Sequence, residues 1–214
     1  MVSSKVKFTL PRIYPITDKT LARKTSHLSI LKELVRGGAT VVQIRDKTTP
    51  LHELIKDIRQ CAEFAHKKEV ELMVNDRCDL VLSSTATGVH LGQDDLPAEA
   101  ARTILGPSRA IGLSTHSLRQ VKKAAGLPIQ YIGFGPVFAT STKTKTEPAV
   151  GLKLLAQACA ASSLPVVAIG GIGPQQVGEA LKAGASSVAV ISALMKAENL
   201  AREMQRFLEK AMEK

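Results

Sequence analysis

Eight short runs rich in Val, Ile and Leu, each followed by a stretch with helical spacing, constrain this chain more than any other feature. The runs fall at residues 12–17, 40–45, 71–75, 88–92, 110–114, 131–135, 165–170 and 187–192. Between them Leu28, Leu31, Leu34 and Val35, then Leu51, Leu54, Ile55 and Ile58, recur on single helical stripes. Stop and start signals separate the units. Gly37-Gly38 ends one helix, and Thr49-Pro50 reads as N-cap and first helical residue of the next. Ser117-x-x-Gln120 has the pattern of a capping box, and Pro174 opens a helix that Gly184 closes. Nearly continuous apolar strands belong to a parallel sheet covered on both faces. Eight strand–helix units predict a closed (β/α)8 TIM barrel of α/β class, a single domain over residues 1–214 with 1–11 as a lead-in. An open doubly wound sheet is the alternative, but the Gly-rich turn expected after its first strand is missing.

The active site of such a barrel lies at the C-terminal mouth, so the residues that close each strand matter most. Strand two supplies Gln43, Arg45 and Lys47; alternation turns Gln43 and Arg45 inward and Val42 and Ile44 towards the helices. An inward Arg beside a Lys calls for an anion, or for a structural ion pair to Asp46 or Asp76. Strand three ends Asn75-Asp76 and strand four ends in His90-Leu-Gly-Gln-Asp-Asp95, which puts carboxylates on adjacent rims. Two carboxylates beside a phosphate site suit Mg2+, although Asp is also common in loops and caps. His90 points inward, either as a ligand-facing polar group or as a hydrogen-bonded core histidine.

Strand five ends at Ser114, and strand six runs into a stretch that holds Thr140, Ser141, Thr142, Lys143 and Lys145. Such a stretch either closes over phosphate or is an ordinary solvated loop. Gly170 and Gly171 follow strand seven, and Ile191-Ser192 ends strand eight, where barrels commonly bind phosphate through backbone N–H groups. Two anion regions result. One, at strands two to six, carries enough positive charge for a diphosphate; the other, at strands seven and eight, suits a single phosphate.

Composition narrows the partners. The net charge of +10 is spread without a Lys/Arg-rich block, and with two Tyr, five Phe and no Trp there is little for bases to stack on, so small phosphorylated molecules are expected rather than nucleic acid. Cys61, Cys78 and Cys159 are odd in number and have no metal-ligand spacing, which predicts reduced thiols. No apolar run approaches the roughly 18 residues of a membrane span, and a cytoplasmic enzyme, with a homo-oligomer left open, is the expectation.

Taken together, Gln43-x-Arg45-x-Lys47, Asn75-Asp76, His90-x-Gly-Gln-x-Asp95, Gly112-x-Ser114-x-His116, Gly135-Pro136 with Thr140-x-Thr142-Lys143, Gly170-Gly171 and Ile191-Ser192 resemble the thiamine phosphate synthase family over essentially the whole chain. The resemblance implies a transferase of thiamine biosynthesis that joins 4-amino-5-hydroxymethyl-2-methylpyrimidine diphosphate to a thiazole phosphate, releasing diphosphate by a dissociative mechanism. It implies that Asp76 and Asp95 bind Mg2+. It also implies that Gln43, Arg45, Lys47, Asn75, Ser114 and Lys143 hold the pyrimidine diphosphate, and we place His90 with these substrate-binding residues. Thr140, Ser141, Thr142, Gly171, Ile191 and Ser192 would hold the thiazole phosphate. Arg45, Lys47, Ser114 and Lys143 would serve catalysis. Ala139 and Asp94 depart from the family pattern, which has proline and frequently glutamate there. A thiazole tautomerase on the same fold, or a non-catalytic barrel that binds a phosphorylated metabolite, is the alternative reading.

Overall fold

The computed structural model describes residues 8–140 and 148–213. Ser141, Thr142, Lys143 and Lys145 therefore lie outside the described residues. The strands are β1 (Ile13–Pro15), β2 (Val41–Ile44), β3 (Glu71–Asn75), β4 (Gly88–Leu91), β5 (Ala110–Thr115), β6 (Tyr131–Phe134), β7 (Val166–Ile169) and β8 (Ser187–Val190). All pair in parallel in the order β1-β8-β7-β6-β5-β4-β3-β2. The ends of that sheet meet through a single parallel bridge, Ile16 to Gln43, reinforced by the Thr17 N–H donating to the Gln43 carbonyl at 2.8 Å. The predicted barrel is the observed one.

The helices are α1 (Lys19–Ala22), α2 (His27–Arg36), α3 (Leu51–Lys67), α4 (Cys78–Leu82), α5 (Ala98–Leu105), α6 (Leu118–Ala124), α7 (Gly151–Ala161), α8 (Val177–Lys182), α9 (Ser192–Met195) and α10 (Leu200–Met212). Two of these, the four-residue α1 and α9, are additions to the predicted eight, because one turn of helix has no apolar period to read. Pro50 is the N-cap of α3, not its first residue, with ψ at 141°. Ser117 caps α6 as expected, but the Gln120 side chain accepts from the His116 N–H at 2.6 Å, one residue earlier than a capping box requires.

Side-chain alternation along the strands divides the core in two. Outward residues such as Val42, Ile44, Val74, Val89, Ile132 and Val188 pack under the helices. Inward residues Tyr14, Val41, Met73, Ala110, Tyr131, Val167 and Ala189 fill the barrel, and Phe8 and Leu10 of the lead-in pack against them. The Phe8 ring stacks on Tyr131 with centroids 5.6 Å apart. Cys61 and Cys78 are buried and Cys159 is half-buried, all as free thiols. Among the described residues no helix is long and apolar enough to cross a membrane.

Candidate active site

At the C-terminal mouth a cleft is lined by Gln43, Arg45, Asn75, His90, Ser114 and Ile191, above a floor of Tyr14, Ile16 and Tyr131. Six of the predicted site residues thus share one cavity, and they come from five different strand ends. Parity accounts for this placement, since each closes its strand on the inward face. Gln43 is 2% exposed and donates from Nε2 to the Tyr14 hydroxyl at 3.2 Å. His90 places Nδ1 3.0 Å from the Tyr131 hydroxyl and Nε2 2.9 Å from Ser114 Oγ. It is a hydrogen-bonded core histidine and a cleft-lining one at once.

The rim beside this cleft is charged. Asp76 follows β3 in left-handed backbone (φ 62°), a conformation a short polar side chain tolerates, and its N–H donates to the His90 carbonyl at 2.8 Å. That bond ties the ends of β3 and β4 together. Asp95 is drawn to the same place by the Gly92 N–H, which donates to its Oδ2 at 2.6 Å. A Cβ on Gly92 would stand 2.9 Å from that oxygen, so glycine leaves room for the carboxylate. Burial and the adjacent Asp95 carboxyl raise the Asp76 pKa above its ordinary value, and Lys47, paired with Asp76, works against them. Two neighbouring carboxylates would suit a hard divalent cation such as Mg2+, with Asp76 and Asp95 as the residues that would hold it. Among the described residues no group of three or more His, Cys, Asp or Glu could hold a metal ion.

The two cations of strand two differ in their partners. Lys47 pairs with Asp76, as one of the readings of the sequence had it, whereas Arg45 reaches Asp18 at 3.5 Å. Asp46 between them turns the other way. Its carboxylate, 3% exposed, accepts from His27 Nε2 at 3.0 Å, the Thr49 N–H at 2.8 Å, the Thr49 hydroxyl at 2.7 Å and the Thr48 N–H at 2.9 Å, with Lys19 Nζ at 3.2 Å. Burial works to raise its pKa, but the His27 and threonine bonds outweigh it and hold the carboxyl well below the usual range. His27 is itself fully buried and bonds Thr17 Oγ1 at 2.8 Å, and the same hydroxyl accepts the Arg45 N–H at 3.2 Å. The backbone that presents Arg45 and Lys47 is therefore clamped from behind. Sequence reasoning missed this clamp and the inward tyrosines; the one available signal was strand parity, by which position 46 alternates outward and position 14 inward.

The other region, at the ends of β7 and β8, is built from backbone. Gly170 (φ 102°) and Gly171 (φ 65°) adopt left-handed conformations that favour glycine. They also make room for the segment after β6: a Cβ on Gly171 would meet the Phe138 carbonyl carbon at 2.9 Å and collide with the Ala139 carbonyl oxygen. The Phe138 N–H donates to the Gly170 carbonyl at 3.0 Å. Glycine is thus needed to seat the 136–139 segment as well as to expose backbone. Ile191 lines the cleft, Ser192 opens α9, and Thr140 is partly exposed at the edge of the described chain.

A family model described as thiamine monophosphate synthase matches residues 13–194. The thiamine-phosphate synthase of Persephonella marina is 42% identical over 194 residues, covering 91% of this chain and 92% of that protein. That of Chloroflexus aurantiacus is 36% identical over 206 residues, 95% of each. Among solved structures, thiamine phosphate pyrophosphorylase from Pyrococcus furiosus superposes with a TM-score of 0.85 at 33% identity, covering 94% of this chain and 95% of that one.

Proposed function

Because this chain belongs to the thiamine monophosphate synthase family, we propose that it is a Mg2+-dependent, cytoplasmic transferase that joins the pyrimidine diphosphate to the thiazole phosphate, giving thiamine phosphate and diphosphate. The observation that carries the metal-dependent reading is the Asp76–Asp95 carboxylate pair, set on the rim next to Lys47 and Arg45 and directly beside the polar cleft.

In this reading Gln43, Asn75, His90 and Ser114 hold the pyrimidine diphosphate in the cleft. Arg45 and Lys47 face its diphosphate, with Lys143 from the segment outside the described residues. Asp76 and Asp95 hold Mg2+, which supplies charge neutralisation on the leaving group when bound. The bond between the pyrimidine methylene carbon and the diphosphate oxygen breaks with its electron pair on oxygen, and the thiazole nitrogen lone pair then closes on the methylene carbon. No strong general base is needed. The residues supply positioning and electrostatic stabilisation of the departing charge, the largest contributions available to such a step. Thr140, Ser141, Thr142, Gly171, Ile191 and Ser192 hold the thiazole phosphate so that its nitrogen approaches the same carbon.

Incubation with both substrates, with and without Mg2+, tests this. Thiamine phosphate and diphosphate should appear in equal amounts and only with the metal; metal-independent turnover would remove the metal from the reading. Binding of either substrate without any product would instead favour a regulatory barrel, and conversion of a thiazole phosphate alone would favour a tautomerase.

A further inference from the structure

We propose that Tyr131 is a positioning residue, which sets the tautomer of His90 and through it the direction in which Ser114 offers its hydroxyl proton. This role rests on the proposed function only in that Ser114 faces the pyrimidine diphosphate. The chain of bonds starts at Gln43, whose amide Nε2 donates to the Tyr14 hydroxyl oxygen at 3.2 Å. A phenol has one proton to give, and the amide N–H cannot accept it. The Tyr14 proton therefore goes to the Tyr131 oxygen, 2.9 Å away. Tyr131, already accepting there, gives its own proton to His90 Nδ1 at 3.0 Å. A neutral imidazole that accepts at Nδ1 carries its proton at Nε2. That proton is donated to Ser114 Oγ at 2.9 Å, which leaves the serine proton free to turn into the cleft. Ser114 thus meets the substrate as a donor, and selects a ligand with an acceptor lone pair at that point.

Several neighbours hold the relay in register. Tyr14 and Tyr131 are 1% and 0% exposed, so water does not compete for their hydroxyls. Burial pushes the Tyr14 pKa up to about 12 and that of Tyr131 well above its ordinary value, which keeps both protons in place. Two glycines make room for the rings. A Cβ on Gly112 would stand 2.5 Å from the Tyr131 hydroxyl oxygen, and one on Gly133 would stand 3.3 Å from His90 Cε1. From the next loop, Gln93 Nε2 donates to the Ser114 carbonyl at 2.6 Å and fixes the serine backbone.

The test begins on the substrate-free protein labelled with 15N-histidine. His90, assigned as the signal lost in His90→Gln, should show a protonated Nε2 and an unprotonated Nδ1. The reverse tautomer would overturn the proposal without any variant being needed. Tyr131→Phe removes the donor to Nδ1 and should give a mixture of tautomers, with pyrimidine diphosphate binding weakened about fivefold, the scale of one hydrogen bond, and thiazole phosphate binding unchanged. Tyr14→Phe removes a hydroxyl from the same buried chain, yet leaves the Tyr131 proton directed at His90, and so should keep the wild-type tautomer. An unchanged tautomer in Tyr131→Phe, or equal shifts in both variants, would reduce the relay to packing. If the wild-type tautomer is as expected but the pyrimidine diphosphate does not bind, the relay stands and the substrate reading fails.

Discussion

The two regions of the mouth are made of different material. At the ends of β2, β3 and β4 the mouth is built from charged side chains, Arg45 in the cleft and Lys47, Asp76 and Asp95 on the rim beside it. At the ends of β7 and β8 there is no charged residue in the stretches 170–173 or 191–194, and the conformation of Gly170 and Gly171 supplies the shape. The contrast teaches that one end can be disabled by altering a charge at constant shape. The other can be disabled only by altering shape, since a backbone N–H survives every substitution except proline.

Removal of one carboxylate should break the contrast most sharply. Asp76→Asn or Asp95→Asn should lower Mg2+-dependent turnover on the order of 10³-fold, while thiazole phosphate affinity measured by calorimetry stays within about twofold. Equal losses at both ends would mean that the two regions are not separable.

Lys143 comes next. If charge develops as diphosphate leaves, Lys143→Ala should lower kcat by about 10²-fold with a smaller change in KM, and Lys145→Ala should do little. Single-turnover kinetics on both variants would show it; equal effects would make the lysines a diffuse field.

Shape at the other end is tested by Gly171→Ala. The methyl group must occupy a left-handed conformation and push against the Phe138 carbonyl, which should weaken thiazole phosphate binding about tenfold through strain alone. Inorganic diphosphate binding, read by the same calorimetry, should not move.

The smallest catalytic effect is expected at the clamp. Asp46→Ala touches no substrate, but it releases the backbone that carries Arg45 and Lys47, and kcat/KM should fall about fivefold. Its larger signature is stability. Breaking a buried charge network costs about 3 kcal/mol, measurable by urea unfolding at neutral pH. Because the folded Asp46 pKa lies below its ordinary value, that stability is fully present above the unfolded carboxylate range, about pH 4. The gap between wild type and variant should hold down to there, and close only as acid protonates Asp46 in the folded state. A gap that closes well above that range would mean that the Asp46 carboxylate is not the source of the stability.

What could be read from the residues alone divides along the same physical lines. The strands were legible because runs such as 40–45 and 187–192 are β-branched and covered on both faces, a pattern few other structures produce. Gln43, Arg45, Asn75, His90 and Ser114 were legible because each is polar at the end of such a run, on the parity that faces the barrel. Tyr14 and Tyr131 were not, since an inward aromatic reads as core until its hydroxyl is seen to meet another 2.9 Å away on a strand far along the chain. Asp46 was considered only as a partner for the strand-two cations, because its principal partner, His27, belongs to a different element. Pro50 was misplaced by one residue because the sequence signals for N-cap and first helical residue overlap.

The seam between β1 and β2 has a consequence in time. β1 has its full register with β8, nearly the whole chain away, and touches β2 through one bridge at Gln43. As the polypeptide leaves the ribosome, the first strand made must wait for the last before it gains its ladder partner, whereas Tyr14 and Gln43, 29 residues apart, are both made early. Pairings between distant parts of a chain are the slow ones. The β1–β8 ladder is therefore the slow pairing of this barrel, the one that waits for the whole chain.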